Sequence, residues 1–222
     1  MFFPIGDDQI RGGSLPIFSY GLLLANLIVF VYEVSLPPEL LQDFIWEYAT
    51  IPSEIQQGED LFTLITSMFL HGSWLHLILN MLFLWVFADN IEAVIGNISF
   101  LLFYLLGGIV ASLAHVFLNL GSDVPGLGAS GAISAVLGAY LVMFPSSKVR
   151  TLFFLLIIIR RINMPAFAFL GIWIAFQLIA GLQDLNMESS GSGGTAWWAH
   201  IGGFFFGFFA GAIFRGRLKR FG

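Results

Sequence analysis

This chain of 222 residues carries only 23 charged side chains, and their spacing limits its fold more than any other feature. They leave six stretches free of Asp, Glu, Lys and Arg: 12–32, 61–88, 93–122, 124–147, 162–183 and 189–214. Each is 21 to 30 residues long. A hydrocarbon layer of ~30 Å is crossed by about 20 helical residues. Lipid admits only helices and closed barrels, because every backbone polar group must be satisfied internally. Barrel strands read as alternating segments of ~10 residues, whereas LLLANLIVFVY and LILNMLFLWVF are unbroken apolar runs. Hydrophobic residues make up 58% of the chain and charged ones 10%, against roughly 25% charged in soluble domains. The same numbers exclude a disordered chain. The absence of cysteine excludes a disulfide framework, thiol catalysis and a thiolate metal site.

The predicted fold class is therefore an all-α membrane protein, a bundle of six transmembrane helices over 12–214, with short tails at 1–11 and 215–222. The basic residues orient it. Arg11, the group Lys148, Arg150, Arg160 and Arg161, and the group Arg215, Arg217, Lys219 and Arg220 all fall on one side of a six-span layout. The opposite loops, 33–60, 123 and 184–188, hold ten acidic residues and no basic one. The positive-inside rule then puts both termini in the cytoplasm, as in a bacterial cytoplasmic membrane. The first span, with PPEL after it and no small-x-small site, is read as retained rather than as a cleaved signal. FIWEYATI in the acidic loop suggests a short interfacial helix. TLFFLLIII at 151–159 is too short to span and is expected at the interface or against the bundle. The loop around SSGSGG, 189–194, is expected to be flexible.

Polar side chains inside spans are costly and mark functional candidates. His71, His76 and Asn80 open the second span, Ser130 the fourth and His200 the sixth. These three spans run the same way. All five side chains are read as lying at comparable depth, toward the outer face. Gly203, Gly207 and Gly211 form two overlapping GxxxG units on the face of His200; Ser130, Ser134 and Gly138 recur at intervals of four. Small residues let membrane helices approach closely. If these faces meet, Ser130 meets His200, and a Ser–His pair within hydrogen-bond reach is a nucleophile with its base. Gly126 and Gly128 precede Ser130, and the helix start behind them offers N–H groups to a developing negative charge. His76 and Asn80, four apart, share a face and carry donors for an oxyanion.

Each residue also has a bland reading. Ser130 alone reads as bonding its own helix, His200 as an interhelical contact, and His76 with Asn80 as glue between helices. GxxxG is frequent. His115 has no partner in this pattern and is read as structural, and Asp89 and Glu92 as helix-end or cytoplasmic loop residues. The aromatic residues Trp85 and Trp173 and the Phe face of the last span read as packing or lipid contact.

At GASG around Ser130, AHIGGFFFG around His200 and HGSWLHLILNMLFLW at the second span, the sequence resembles the rhomboid family of intramembrane serine proteases, in order and spacing, over residues 15–215. The resemblance implies that Ser130 is the nucleophile and His200 the general base. It implies that His76, Asn80 and the Ser130 N–H bind the oxyanion, with Gly128 shaping that hole. His71 would support the loop at the span-two entrance, with Gly203 and Gly207 as packing supports. Loop 33–60 would lie partly in the outer leaflet, and span five, 162–183, would be the lateral gate. Two departures stand out. Some members carry a Tyr four residues after the nucleophile, stacked on the catalytic His; here it is Ser134. Some carry a Trp-Arg pair in the first loop; here it is Trp46-Glu47.

The expected activity is hydrolysis of a peptide bond in or beside the transmembrane helix of a protein substrate. Partners are transmembrane proteins, single-span ones among them, and the lipid bilayer. No nucleic acid, cofactor or metal is expected, since HExxH is absent and the histidines are not spaced as a zinc set. Two rivals are a non-catalytic rhomboid-like protein that binds transmembrane clients, and a small transporter relaying protons through His76, Asn80 and His200. The last predicts an inverted repeat, and none is visible.

Overall fold

The structure is a computed structural model that describes residues 2–8, 12–155, 158–186 and 196–220. The SSGSGG loop lies outside the described residues. The chain runs β1 (Phe2–Gly6), α1 (Ile17–Ser35), α2 (Pro38–Tyr48), α3 (Pro52–Gln57), α4 (Thr63–Thr66), a 3-10 turn (Ser67–Phe69), α5 (Trp74–Ile95), α6 (Asn97–Leu118), α7 (Ser130–Met143), β2 (Lys148–Leu155), β3 (Ile158–Pro165), α8 (Ala166–Asn186), α9 (Trp197–Phe214) and a closing 3-10 turn (Arg215–Arg220).

Among the described residues five helices, α1, α5, α6, α8 and α9, are long and apolar enough to cross a membrane. The expected fourth span is the exception. Its helix, α7, has 14 residues, or ~21 Å at 1.5 Å per residue. The charge-free run that contains it is longer because it includes the loop leading to Ser130. α7 is the centre of the bundle: eleven of its residues are buried, and α5, α6, α8 and α9 pack around it.

The all-α expectation needs correction. TLFFLLIII is part of an antiparallel hairpin, β2–β3, in which Lys148 pairs with Pro165 and Leu155 with Ile158. The expected N-terminal tail supplies a third strand, β1, with Phe2 opposite Phe153. Arg150 Nη2 donates to the Asp7 carbonyl at 2.7 Å, and Asn90 Nδ2 donates to the Asp7 carboxylate at 2.7 Å. Tyr140 of α7 donates to the same carboxylate. The sheet is thus tied to the end of the bundle opposite the starts of α5, α7 and α9.

Helix boundaries follow local chemistry. Ser73 caps α5, its Oγ accepting from the His76 N–H at 3.2 Å. Pro38 and Pro52 start α2 and α3 at positions where a missing N–H costs nothing. α2, which holds FIWEY, buries none of its residues. The start of α1 is capped from a distance. Glu92 of α5, fully buried, accepts from the N–H groups of Phe18 (2.9 Å) and Ser19 (2.7 Å) and from Ser19 Oγ (2.7 Å). A carboxylate there meets the positive end of the helix dipole.

The α7–α9 seam is glycine against backbone. A Cβ on Gly203 would strike the Gly131 carbonyl, one on Gly207 the Ala135 carbonyl, and one on Gly211 would lie 2.7 Å from Ala139 Cα. The small-residue stripe on α7 is therefore Gly131, Ala135 and Ala139, one position on from the expected Ser130, Ser134 and Gly138. Gly138 still contributes, since a Cβ there would strike the Phe204 carbonyl. Ser134 turns back on its own helix and donates to the Ser130 carbonyl at 2.6 Å.

Candidate active site

Ser130 is the first residue of α7, and His200 lies in the first turn of α9. The glycine seam below them sets the separation of the two helices. Ser130 Oγ lies 2.8 Å from His200 Nε2. On its other side, His200 Nδ1 lies 2.8 Å from Gln177 Oε1 of α8. The Gln177 oxygen is an acceptor, so Nδ1 carries the ring proton and Nε2 presents its lone pair to the Ser130 hydroxyl. Trp173 of α8 lies tilted against the imidazole at 6.0 Å between centroids, and Trp197 meets it edge-on at 6.3 Å.

The loop before Ser130 is held rigidly. Thr50 and Gly126 exchange backbone hydrogen bonds at 2.9 and 2.8 Å, and the Gly128 N–H donates to the Ser67 carbonyl at 2.8 Å. Gly128 has φ +124°, where L side chains are strained. A Cβ there would also lie 2.7 Å from His76 Nε2 and 3.7 Å from Asn80 Nδ2. The first two turns of α5 thus bring both side chains against the glycine two residues before Ser130.

Asn80 is buried and aimed by His71. His71 Nδ1 donates to the Phe69 carbonyl at 3.3 Å, which leaves Nε2 to accept from Asn80 Nδ2 at 3.0 Å. The other amide hydrogen of Asn80 is left for a further acceptor. His71 is itself fixed by Glu33, whose two carboxylate oxygens each accept from the His71 N–H at 3.2 Å.

A small cavity of about 30 Å³ opens beside Ser130, lined by Thr50, Ser67, Ser112, His115 and Gly126 among others. A volume of ≳ 10–15 Å³ with polar partners is enough for a water. The acidic loop is pinned to the end of α6 and to the connection that follows it. Ser53 Oγ donates to Asp123 at 2.6 Å, Gln56 Nε2 to the Val116 carbonyl at 3.1 Å, and the Gly121 N–H to Gln56 Oε1 at 3.0 Å. Partial burial, then the nearby Asp60, Glu59 and Asp123, hold the Glu54 carboxyl above the usual carboxylate range.

The expected site residues divide as follows. Ser130, His200, His76, Asn80, Gly128 and His71 come together in one constellation, and Gly203 and Gly207 lie in the seam that brings the helices close. Gln177 and Glu33 carry no mark in the sequence pattern, and His115 is read there as structural. Gln177 sits as a neutral amide in an apolar run. Glu33 was counted among the loop acids, yet it ends α1 and is 2% exposed. His115 lines the cavity next to Ser130 and bonds Asn119 one turn on, at 3.2 Å from Nδ1 to Nδ2. No group of three or more possible metal ligands occurs among the described residues.

A family model described as the rhomboid domain matches residues 58–217. The chain is 34% identical over 201 residues to rhomboid protease GluP of Bacillus subtilis (strain 168), which covers 89% of this chain and 34% of that protein. It is 32% identical over 200 residues to the mitochondrial RHOMBOID-like protein 12 of Arabidopsis thaliana, covering 82% and 54%. It is 30% identical over 193 residues to the mitochondrial rhomboid protein 1 of Saccharomyces cerevisiae (strain ATCC 204508 / S288c), covering 83% and 49%. The chain spans from 34% to 54% of the length of these three curated relatives. The family model covers well over half of the chain, and its apolar helices make it an integral, multi-pass membrane protein: the chain belongs to the rhomboid family.

Proposed function

We propose that this protein is an intramembrane serine endopeptidase, with Ser130 as nucleophile and His200 as general base. The observation that carries this reading is the 2.8 Å contact between Ser130 Oγ and His200 Nε2, across two helices whose glycine seam leaves no slack. Ser130 Oγ attacks the carbonyl carbon of the scissile peptide, and its proton passes to His200 Nε2. The carbonyl oxygen becomes an oxyanion, met by the Ser130 N–H, His76 and the second amide hydrogen of Asn80. His200 then gives the proton to the leaving amine, and an acyl-Ser130 remains. A water deprotonated by His200 releases the acyl group, and the cavity beside Ser130 is where such a water waits.

The substrates are transmembrane proteins whose helix unwinds locally to expose the scissile carbonyl. Small or helix-weakening residues are favoured there because they lower that cost. The rhomboid bundle over 12–214 is read as six spans, with α7 a short fourth one enclosed by the other helices. Both termini and the sheet lie on the basic, cytoplasmic side of a bacterial cytoplasmic membrane, and the site opens outward.

Co-expression with a panel of single-span reporters, comparing the native chain with Ser130→Ala, tests this reading. Cleavage is expected only with the native chain, together with labelling of Ser130 by a fluorophosphonate. A client-binding protein without catalysis would capture the reporters uncleaved and leave Ser130 unlabelled.

A further inference from the structure

A Ser–His pair works only if the imidazole holds one tautomer and one orientation. Nε2 must be the unprotonated nitrogen and must point at the serine hydroxyl. In this chain no aromatic ring stacks from position 134, and Ser134 is engaged with its own helix. Around His200 stand Trp173 and Gln177 on α8, Trp197 on its own helix and Ser130 on α7. The other titratable side chains near it are His76 on α5 and His115 on α6. Only Gln177 offers an acceptor to Nδ1 among the described residues, from a side chain 7% exposed.

We propose that Gln177 is the positioning residue of the catalytic base: its Oε1 accepts the Nδ1 proton of His200 and so fixes the tautomer in which Nε2 takes the proton of Ser130. The proposal rests on the reading of Ser130 and His200 as nucleophile and base. A neutral amide suits the place, since it orients the ring without adding a charge that burial would penalise. Because Gln177 arrives from α8, the base stays oriented only while α8 is seated against α9. Gly181, one turn further on the same face, makes that seat close: a Cβ there would lie 3.2 Å from Ile201 Cδ1 and 3.4 Å from Trp197 Cβ.

The test is the rate of fluorophosphonate labelling at Ser130 in the purified full chain, measured with reporter cleavage and a pH–rate profile. Gln177→Leu and Gln177→Met remove the acceptor and keep the bulk. Each is expected to label about 10- to 100-fold more slowly, with cleavage losing kcat and keeping KM. Gln177→Glu restores an acceptor at the same place and is expected to recover labelling. The acid limb of its pH profile should move to higher pH, because a carboxylate favours the protonated imidazole. Folding is checked by thermal unfolding in detergent, and either the Leu or the Met variant suffices if the other is unstable. Labelling by folded Leu or Met variants at the native rate overturns the proposal. So does a Glu variant as slow as both, which would mark Gln177 as packing alone. If the native chain shows no labelling that Ser130→Ala removes, the hydrolase reading itself fails.

Discussion

Gly207 of α9 lies so close to the carbonyl of Ala135 on α7 that no Cβ fits between them. Two turns toward the start of α9, the same close approach leaves His200 Nε2 2.8 Å from Ser130 Oγ, although 70 residues separate the two in sequence. The contact that governs the site is thus one that touches no substrate.

Gly207→Leu is therefore expected to pull His200 from Ser130 and to lower cleavage by about 10²-fold or more, the scale on which a 1 Å misplacement costs rate. Gly207→Ala should sit between that variant and the native chain. Reporter cleavage in liposomes, with folding verified, reads both. Native activity in a folded Leu variant would show that the seam does not set the geometry.

Ser130→Ala and His200→Ala should each abolish cleavage, and the double variant should be no worse than either, because residues that act as one unit are not additive. Asn80→Ala should retain weak activity, since one lost oxyanion donor costs about 10²–10³ in kcat. His71→Ala should reproduce part of that loss through Asn80, which it aims. A fully active Asn80→Ala would remove it from the oxyanion hole.

Glu92→Ala should act on stability rather than on chemistry. It strips the acceptor from three donors at the start of α1, and leaving the buried Ser19 N–H unpaired alone costs about 1–3 kcal/mol. Thermal unfolding in detergent should show a clear fall in Tm, with Glu92→Gln falling less because it keeps an acceptor. An unchanged Tm in Glu92→Ala would mean that this start is not buried in the folded bundle.

Reporter fusions in 33–60 and in 184–196 should read outside, and fusions after Lys219 inside. An outside C-terminus would overturn both the six-span reading and the outward-facing site.

The spans were legible because the bilayer imposes a rule that local sequence must obey: about 20 residues without charge for every crossing. His76 and Asn80 were legible as a pair because four residues make one helical turn. The meeting of α7 and α9 was legible from glycine spacing, but its register was not. α7 is buried on nearly every side, so its hydrophobic pattern carries no phase and does not separate Ser130, Ser134 and Gly138 from the neighbouring Gly131, Ala135 and Ala139. The β2–β3 hairpin is not legible because TLFFLLIII has neither alternation nor the length of a span. Its partner strand β1, with Phe2 opposite Phe153, lies at the far end of the chain.

By itself the sequence determined what each segment must be: apolar helices for lipid, a glycine-lined helix start at Ser130, a histidine beside a glycine face. Those are local matters, decided by composition and by the 3.6-residue turn. Only the tertiary structure decided which polar groups meet. Glu33 reads as one loop acid among seven in 33–60, and Gln177 as a stray amide in an apolar run. Their partners, His71 and His200, stand 38 and 23 residues away on other elements. A buried polar group must find a partner in space, and packing, not spacing along the chain, chooses that partner.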